Sequence, residues 1–297
     1  MAGTLYVVGT PIGNLEDVTQ RVLRVLRDVD QIACEDTRHT RKLLARHAIQ
    51  ARLISYHKFN ERARVERLLE CLRRGEDVAL VSDSGTPALS DPGAILVGEA
   101  AAAGFRVVPI PGPSALAAAV CAAGFSVTRL TFVGFLPSRA AGRRRLLASL
   151  EEVPGVLVFF ESPRRLAAAL KDMASRWGKR RGVVAREMTK MHEEFTRGTL
   201  QELVSRLGDA PVRGEVTLVV EGAQEHARGR PGPDAAGAPA ELGPLRQEVE
   251  RRVRGEGLRR PAAIRAVARA HGLDPRSLYR ALAGEKQAAK KMKKKTS

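Results

Sequence analysis

Short apolar runs alternate with amphipathic stretches through most of the chain. Thr4 to Gly9 is an apolar run closed by glycine and predicts a buried strand. Val18, Val22, Val25, Leu26 and Val29 then recur at helical spacing. Gln31 to Cys34 predicts the next strand. A helix follows, then a strand over Arg52 to Ser55 and a helix over Glu61 to Arg73. Asp77 to Val81 reads as a strand, Ala94 to Ala103 as a helix, and Phe105 to Ile110 as another strand. Strands with helices between them predict an α/β fold with a largely parallel sheet.

Pro111-Gly112-Pro113 breaks the pattern, and Ser114 is placed to cap an Ala-rich helix. A second set of elements begins near Leu130. Its predicted strands are Thr131 to Phe135, Gly155 to Phe160, Gly182 to Arg186 and Glu215 to Val220. Helices are predicted over Arg164 to Arg176 and Thr199 to Leu207. The reading is therefore two α/β domains, residues 1–112 and 113–222, then a Gly/Pro/Ala-rich linker over 223–243. Residues 244–297 form a small helical C-terminal module with three short helices and a lysine tail. Within it Arg276, Tyr279 and Arg280 lie on the second helix of a helix-turn-helix-like pair.

Composition narrows the classes. A chain of 297 residues suits about two domains, and 44% hydrophobic residues can fill their cores. No run of 18 apolar residues occurs, which excludes a membrane-spanning helix. The first residues, Met1 to Tyr6, carry no basic region, so a secretory leader is not expected. Cys34, Cys71 and Cys121 are widely spaced in apolar surroundings. They predict buried small side chains in a reducing cytoplasm, not disulfides or a metal site.

Charge changes the picture more. Lys and Arg number 50 against 33 Asp and Glu, a net charge of +17. Residues 223–297 alone carry 18 basic and 8 acidic side chains. Such a balance attracts polyanions, nucleic acid first among them, and equally fits a solvated charged surface.

In open α/β sheets ligands bind outside the carboxyl ends of the strands. Here those ends carry three polar loops: Gly9-Thr10-Pro11-Ile12-Gly13-Asn14, Glu35-Asp36-Thr37-Arg38 and Ser82-Asp83-Ser84-Gly85-Thr86-Pro87. None is a GxGxxG or a GxxxxGK[ST], which argues against dinucleotide and P-loop sites, and no GxSxG supports a hydrolase.

Together with Ser55-Tyr56-His57, Ser90-Asp91-Pro92-Gly93, Pro109 to Ala115, Phe132 to Pro137, Phe160 to Arg165, Arg186 to Lys190, Glu193-Glu194, Gly198-Thr199 and Gly214-Glu215, these loops form an ordered series over about residues 4 to 222. In that series the chain resembles the tetrapyrrole methylase superfamily, and within it the branch of 16S rRNA (cytidine 2′-O)-methyltransferases. The resemblance implies paired α/β domains with S-adenosylmethionine in the cleft between them, and it implies a homodimer. It implies donor contacts from Thr10, Pro11, Ser82, Asp83, Ser84, Gly85, Thr86, Pro87, Ser114, Ala115 and Phe135. The acceptor it implies is the ribose 2′-hydroxyl of a cytidine in small-subunit rRNA.

A ribose hydroxyl needs its proton removed, and the candidate bases are Glu35, Asp36, His57, Glu187 and Lys190. Asp36 and Lys190 come first, with Glu187 beside them, because their loops should face the cleft from opposite domains. A lysine serves only if its pKa is lowered. Arg38, Arg164 and Arg186 are the candidate phosphate contacts. A methylase of a small acidic tetrapyrrole and a non-catalytic RNA-binding protein remain as alternatives.

Overall fold

A computed structural model describes residues 1–208, 212–223 and 242–271, with Pro275, Leu278, Tyr279 and Leu282 beyond them. The chain divides into two compact units, residues 1–224 and 225–297.

The first unit holds two five-stranded sheets. Strands β1 (Thr4–Val8), β2 (Gln31–Cys34), β3 (Arg52–Ser55), β4 (Val78–Val81) and β5 (Arg106–Ile110) form the first, in the order β3-β2-β4-β1-β5. All its pairings are parallel. Parallel strands joined by helices have both faces covered, so a central strand becomes apolar throughout. In β4 all four residues are buried accordingly.

Helices α1 (Gln20–Asp28), α2 (Thr37–Arg46), α3 (Glu61–Arg73) and α4 (Ala94–Ala102) cover the sheet. Leu68, Leu72 and Leu96 pack with Leu5 and Leu80 on one face. Val22, Leu26 and Leu43 pack with Val8 and Ile32 on the other.

Helix α5 (Ala115–Ala123) starts at Ser114, whose hydroxyl accepts from the Ala117 N–H at 3.5 Å. Beyond it lie β6 (Leu130–Phe135), α6 (Ala140–Ser149), β7 (Val156–Glu161), α7 (Pro163–Trp177), β8 (Arg181–Arg186), β9 (Glu194–Thr199), α8 (Leu200–Leu207) and β10 (Val216–Glu221). The second sheet runs β6-β7-β10-β8-β9. Only β6 and β7 pair in parallel; β10 is antiparallel to both neighbours, and β8 to β9.

The alternation of helix and strand in the sequence hides this mixed pattern. Strand β9 escapes the sequence reading because it is an edge strand with the polar sequence Glu194-Phe195-Thr196-Arg197-Gly198-Thr199. Ile12, in the loop after β1, packs with α5 and with Val158, Val183 and Val219 of the second sheet, so that loop shares a core cluster with the second sheet.

Thr199 ends β9 and caps α8. Its hydroxyl accepts from the Glu202 N–H at 3.2 Å, and the Glu202 carboxylate accepts from the Thr199 N–H at 2.8 Å. Thr199→Ala should cost about 1 kcal/mol. In a unit of this size that lowers the melting temperature by about 2–4 °C. A thermal unfolding curve superimposing on wild type would show that the cap contributes nothing.

Cys34 and Cys71 are buried as expected, but Cys121 is exposed. Helix α5 is apolar all round and buries only Ala119 and Ala123, which leaves the Cys121 face open. In the second unit, α9 (Leu242–Gly255) and α10 (Arg260–Ala270) pack Leu245 and Val249 against Ile264 and Val267, with Leu278 and Leu282 joining. Most of the linker, the lysine tail, Arg276 and Arg280 lie outside the described residues; Tyr279 is exposed. No helix among the described residues is long and apolar enough to cross a membrane.

Candidate functional site

The loops leaving β1, β2, β4 and β5 converge at one end of the first sheet. Thr10 and Gly85 form an isolated antiparallel bridge: the Thr10 N–H donates to Gly85 O at 2.8 Å and the Gly85 N–H to Thr10 O at 3.2 Å. The Thr10 hydroxyl donates to Ser82 O at 3.2 Å, and the Ser82 hydroxyl donates to the carbonyls of Ser84 and Gly85 at 3.3 Å each. The Asp83 carboxylate accepts from the Asp36 N–H at 2.9 Å, which ties the β4 loop to the β2 loop. A Cβ on Gly112 would lie 2.4 Å from Gly9 O, so the β5 loop meets the β1 loop backbone to backbone. Thr10, Pro11, Ser82 to Pro87, Ser114 and Ala115 therefore belong to one set of adjoining loops.

The second half reaches the same place. The Asn14 N–H donates to the Thr189 hydroxyl at 3.1 Å, and a Cβ on Gly13 would lie 2.5 Å from Lys190 Cγ. The Ser90 hydroxyl oxygen would be 3.1 Å from a Cβ on Gly134, beside the β6 bulge. Backbone strain gathers here: Ala88, Ser90, Glu187 and Thr189 all have positive φ. Such conformations cost of order 1–3 kcal/mol each and concentrate at functional sites.

The electrostatics of the candidate bases differ sharply. Asp36 caps α2, accepting from the Arg38 N–H at 2.8 Å, and pairs with the Arg38 guanidinium at 2.7 Å. Those hydrogen bonds hold its carboxyl well below the usual carboxylate range. Lys190 Nζ donates to Glu187 at 2.9 Å and Glu215 at 3.0 Å. Burial opposes the ammonium charge, but the two carboxylates outweigh it and raise the pKa. Glu187 is held low by Lys190 and by the Glu215 N–H.

Of the two first choices by sequence, Lys190 is held as an ammonium with no free lone pair, and Asp36 as a carboxylate of weakened basicity. Glu35 is the opposite case. Burial pushes its carboxyl up, Asp83, Asp91 and Asp36 add like charge, and no cation pairs with it among the described residues. Burial raises Asp91 as well, with the Asp83 and Glu215 charges adding to it.

His57 is taken up by its own loop, its Nδ1 accepting from the Phe59 N–H at 3.2 Å. Phe135 is 56% exposed, its ring 5.8 Å from Phe160. Of the three candidate phosphate contacts, Arg38 is engaged by Asp36 and Arg186 by Glu194 at 2.6 Å. Arg164 is exposed in the first turn of α7. Asp91 and Glu215, which the sequence reading left without a role, stand with the cleft acids. Their signal was present in Ser90-Asp91-Pro92-Gly93 and Gly214-Glu215, but nothing local told which way they face.

The arrangement is a crevice rich in hydroxyl and carbonyl oxygens, biased acidic, on a chain of net charge +17. Such a crevice favours a small cationic ligand and repels an anionic one.

A family model described as tetrapyrrole (corrin/porphyrin) methylases matches residues 4–204. A protein of Halalkalibacterium halodurans named ribosomal RNA small subunit methyltransferase I is 44% identical over 277 residues, 93% of each chain. A protein of the same name from Thermotoga maritima is 48% identical over 220 residues, 74% of this chain and 99% of its own. Among solved structures, uroporphyrin-III C-methyltransferase from Thermus thermophilus, complexed with S-adenyl homocysteine, superimposes with a TM-score of 0.55 at 19% identity. That match covers 74% of this chain and 97% of the other, a likeness of fold.

Proposed function

The chain belongs to the tetrapyrrole (corrin/porphyrin) methylase family, and on that footing we propose that it methylates the ribose 2′-hydroxyl of a cytidine in small-subunit (16S) rRNA. The methyl donor is S-adenosylmethionine. The observation that carries the proposal is the contrast between an acidic crevice and a strongly basic chain. The crevice suits a sulfonium, the basic surface suits RNA, and a tetrapyrrole bearing several carboxylates suits neither the acids nor the crevice they line.

The residues present fit the donor. Thr10, Pro11, Ser82 to Pro87, Ser114 and Ala115 would hold it, with Phe135 flanking. The Gly9–Gly112 and Thr10–Gly85 contacts keep those loops in place without side chains in the way. When bound, the donor supplies an activated methyl group on a good leaving group. What remains for the protein is alignment and proton removal.

We assign proton removal to Glu35, whose carboxyl combines partial burial with no ion pair among the described residues. Asp36 holds the start of α2 through its cap, and Lys190 with Glu187 fixes the opposite wall of the cleft. Arg164 takes phosphate outside the crevice. The reading includes reaction in the cytoplasm on the small ribosomal subunit and pairing of two chains. The open α5 face and the exposed Val127 and Leu130 support that pairing.

The test is incubation with labelled S-adenosylmethionine and undermodified small ribosomal subunits, followed by mass analysis of the nucleosides. The expected result is a methylated cytidine whose ribose fragment carries the label. Donor binding by calorimetry with no label in RNA would overturn the proposal, and label in a base instead of a ribose would overturn its chemistry.

A further inference from the structure

The turn between β3 and α3, residues 56–60, carries a phenylalanine that is 94% exposed, Phe59. The turn is not loose. The Tyr56 N–H donates to Cys34 O at 2.8 Å, and the Tyr56 ring is buried. The His57 N–H donates to Asn60 Oδ1 at 2.8 Å, Asn60 Nδ2 donates to Ser55 O at 3.3 Å, and the Phe59 N–H donates to His57 Nδ1. The His57 ring meets Phe59 edge-on at 6.1 Å, leaving the phenyl face to solvent. A well-tied loop thus holds a large apolar ring out in water.

Its neighbours are cationic. Lys58 and Arg62 flank Phe59 along the chain and are exposed, and no ion pair engages them among the described residues; the half-buried Glu61 accepts from the Tyr56 hydroxyl at 3.4 Å. Arg38 and Arg41 are exposed on α2, whose N-terminus lies at the same sheet end. The place is specific as well. In the order β3-β2-β4, the turn is two strands away from the Ser82–Pro87 loop, about 10 Å at ordinary strand spacing. An aromatic face flanked by cations is the combination that grips unpaired bases, because every base has a face to stack and a phosphate beside it.

We propose that Phe59, with Lys58 and Arg62, is a stacking post for an unpaired base of the RNA substrate close to the methylated nucleotide. The inference rests on the RNA-methylating reading above and names where the acceptor strand is held. Charge favours nucleic acid over a second copy at this turn: Lys58 and Arg62 match phosphate, whereas two copies meeting here would set these cations against their own counterparts.

The experiment compares wild type, Phe59→Ala, Phe59→Trp and Lys58→Gln in methylation of undermodified small subunits, with calorimetry for S-adenosylmethionine and light scattering for mass. Phe59→Ala should raise the KM for RNA about ten-fold with kcat and donor affinity unchanged. Phe59→Trp should restore the wild-type KM. Lys58→Gln should flatten the slope of log affinity against log salt by about 0.7. A wild-type KM in folded Phe59→Ala overturns the stacking post. So does a change in its molecular mass, which would make Phe59 a contact between copies. If wild type itself fails to label RNA, the functional reading fails, not the post alone.

Discussion

Gly85→Val should abolish methyl transfer and weaken S-adenosylmethionine binding at least about 100-fold, while the protein stays folded. Gly85 has φ +79°, a region closed to β-branched residues, and strain of order 1–3 kcal/mol follows wherever valine is forced into it. The Cβ alone would stand 3.3 Å from Ile12 Cγ2, tighter than ordinary contact, and 3.8 Å from Pro113 O. The backbone relieves this only by turning away from Thr10. That breaks both hydrogen bonds of the Thr10–Gly85 bridge and displaces the carbonyl that the Thr10 and Ser82 hydroxyls share. The β1–β4 pairing ends at Val8 and Val81, before the bridge, so the sheet survives. Calorimetry with the donor decides: affinity equal to wild type would remove this loop from the donor site.

Glu35→Gln should lower kcat about 100-fold or more, within the range a general base contributes. The pH profile is the sharper readout. A base works as the carboxylate, so the wild-type rate should climb with pH through a pKa above the ordinary glutamate range. Burial and the neighbouring Asp83 charge raise it. In Glu35→Gln that acidic limb should disappear. In Asp36→Asn it should persist, because the Arg38 hydrogen bonds keep Asp36 ionised throughout the measured range and its titration is invisible there. An unchanged acidic limb in Glu35→Gln would assign proton removal elsewhere.

Much of this was legible along the chain, and the reasons are local. A strand such as Val78–Val81 announces itself because a buried parallel strand is an unbroken apolar run between breakers. Ser114 could be read as a cap because capping depends on residues three positions away. The antiparallel half of the second sheet could not, since strand direction is set by pairing partners and not by composition.

Nor could the protonation states of the candidate bases be read. The Lys190 charge is fixed by Glu215, 25 residues on, and the Glu35 carboxyl answers to Asp83 and Asp91 on another loop. Asp36 and Arg38 are near in sequence, yet their pairing follows from the turn that starts α2. Motif matching pointed to these loops, and three-dimensional charge distinguishes the candidate bases on them.

The strand order of the first sheet also sets a timetable for synthesis. Strand β1 leaves the ribosome well before its partners, since it lies between β4 and β5, whose residues Val78 and Arg106 pair with Leu5 and Thr4. At about 5–20 residues per second, the partner strand β5 follows roughly 5–20 s later. Until β4 emerges this apolar strand has two unpaired edges, and one edge stays open until β5 follows. Contacts of such long sequence separation are slow to form. The nascent chain is therefore exposed to aggregation, and open to chaperones, until β5 is complete.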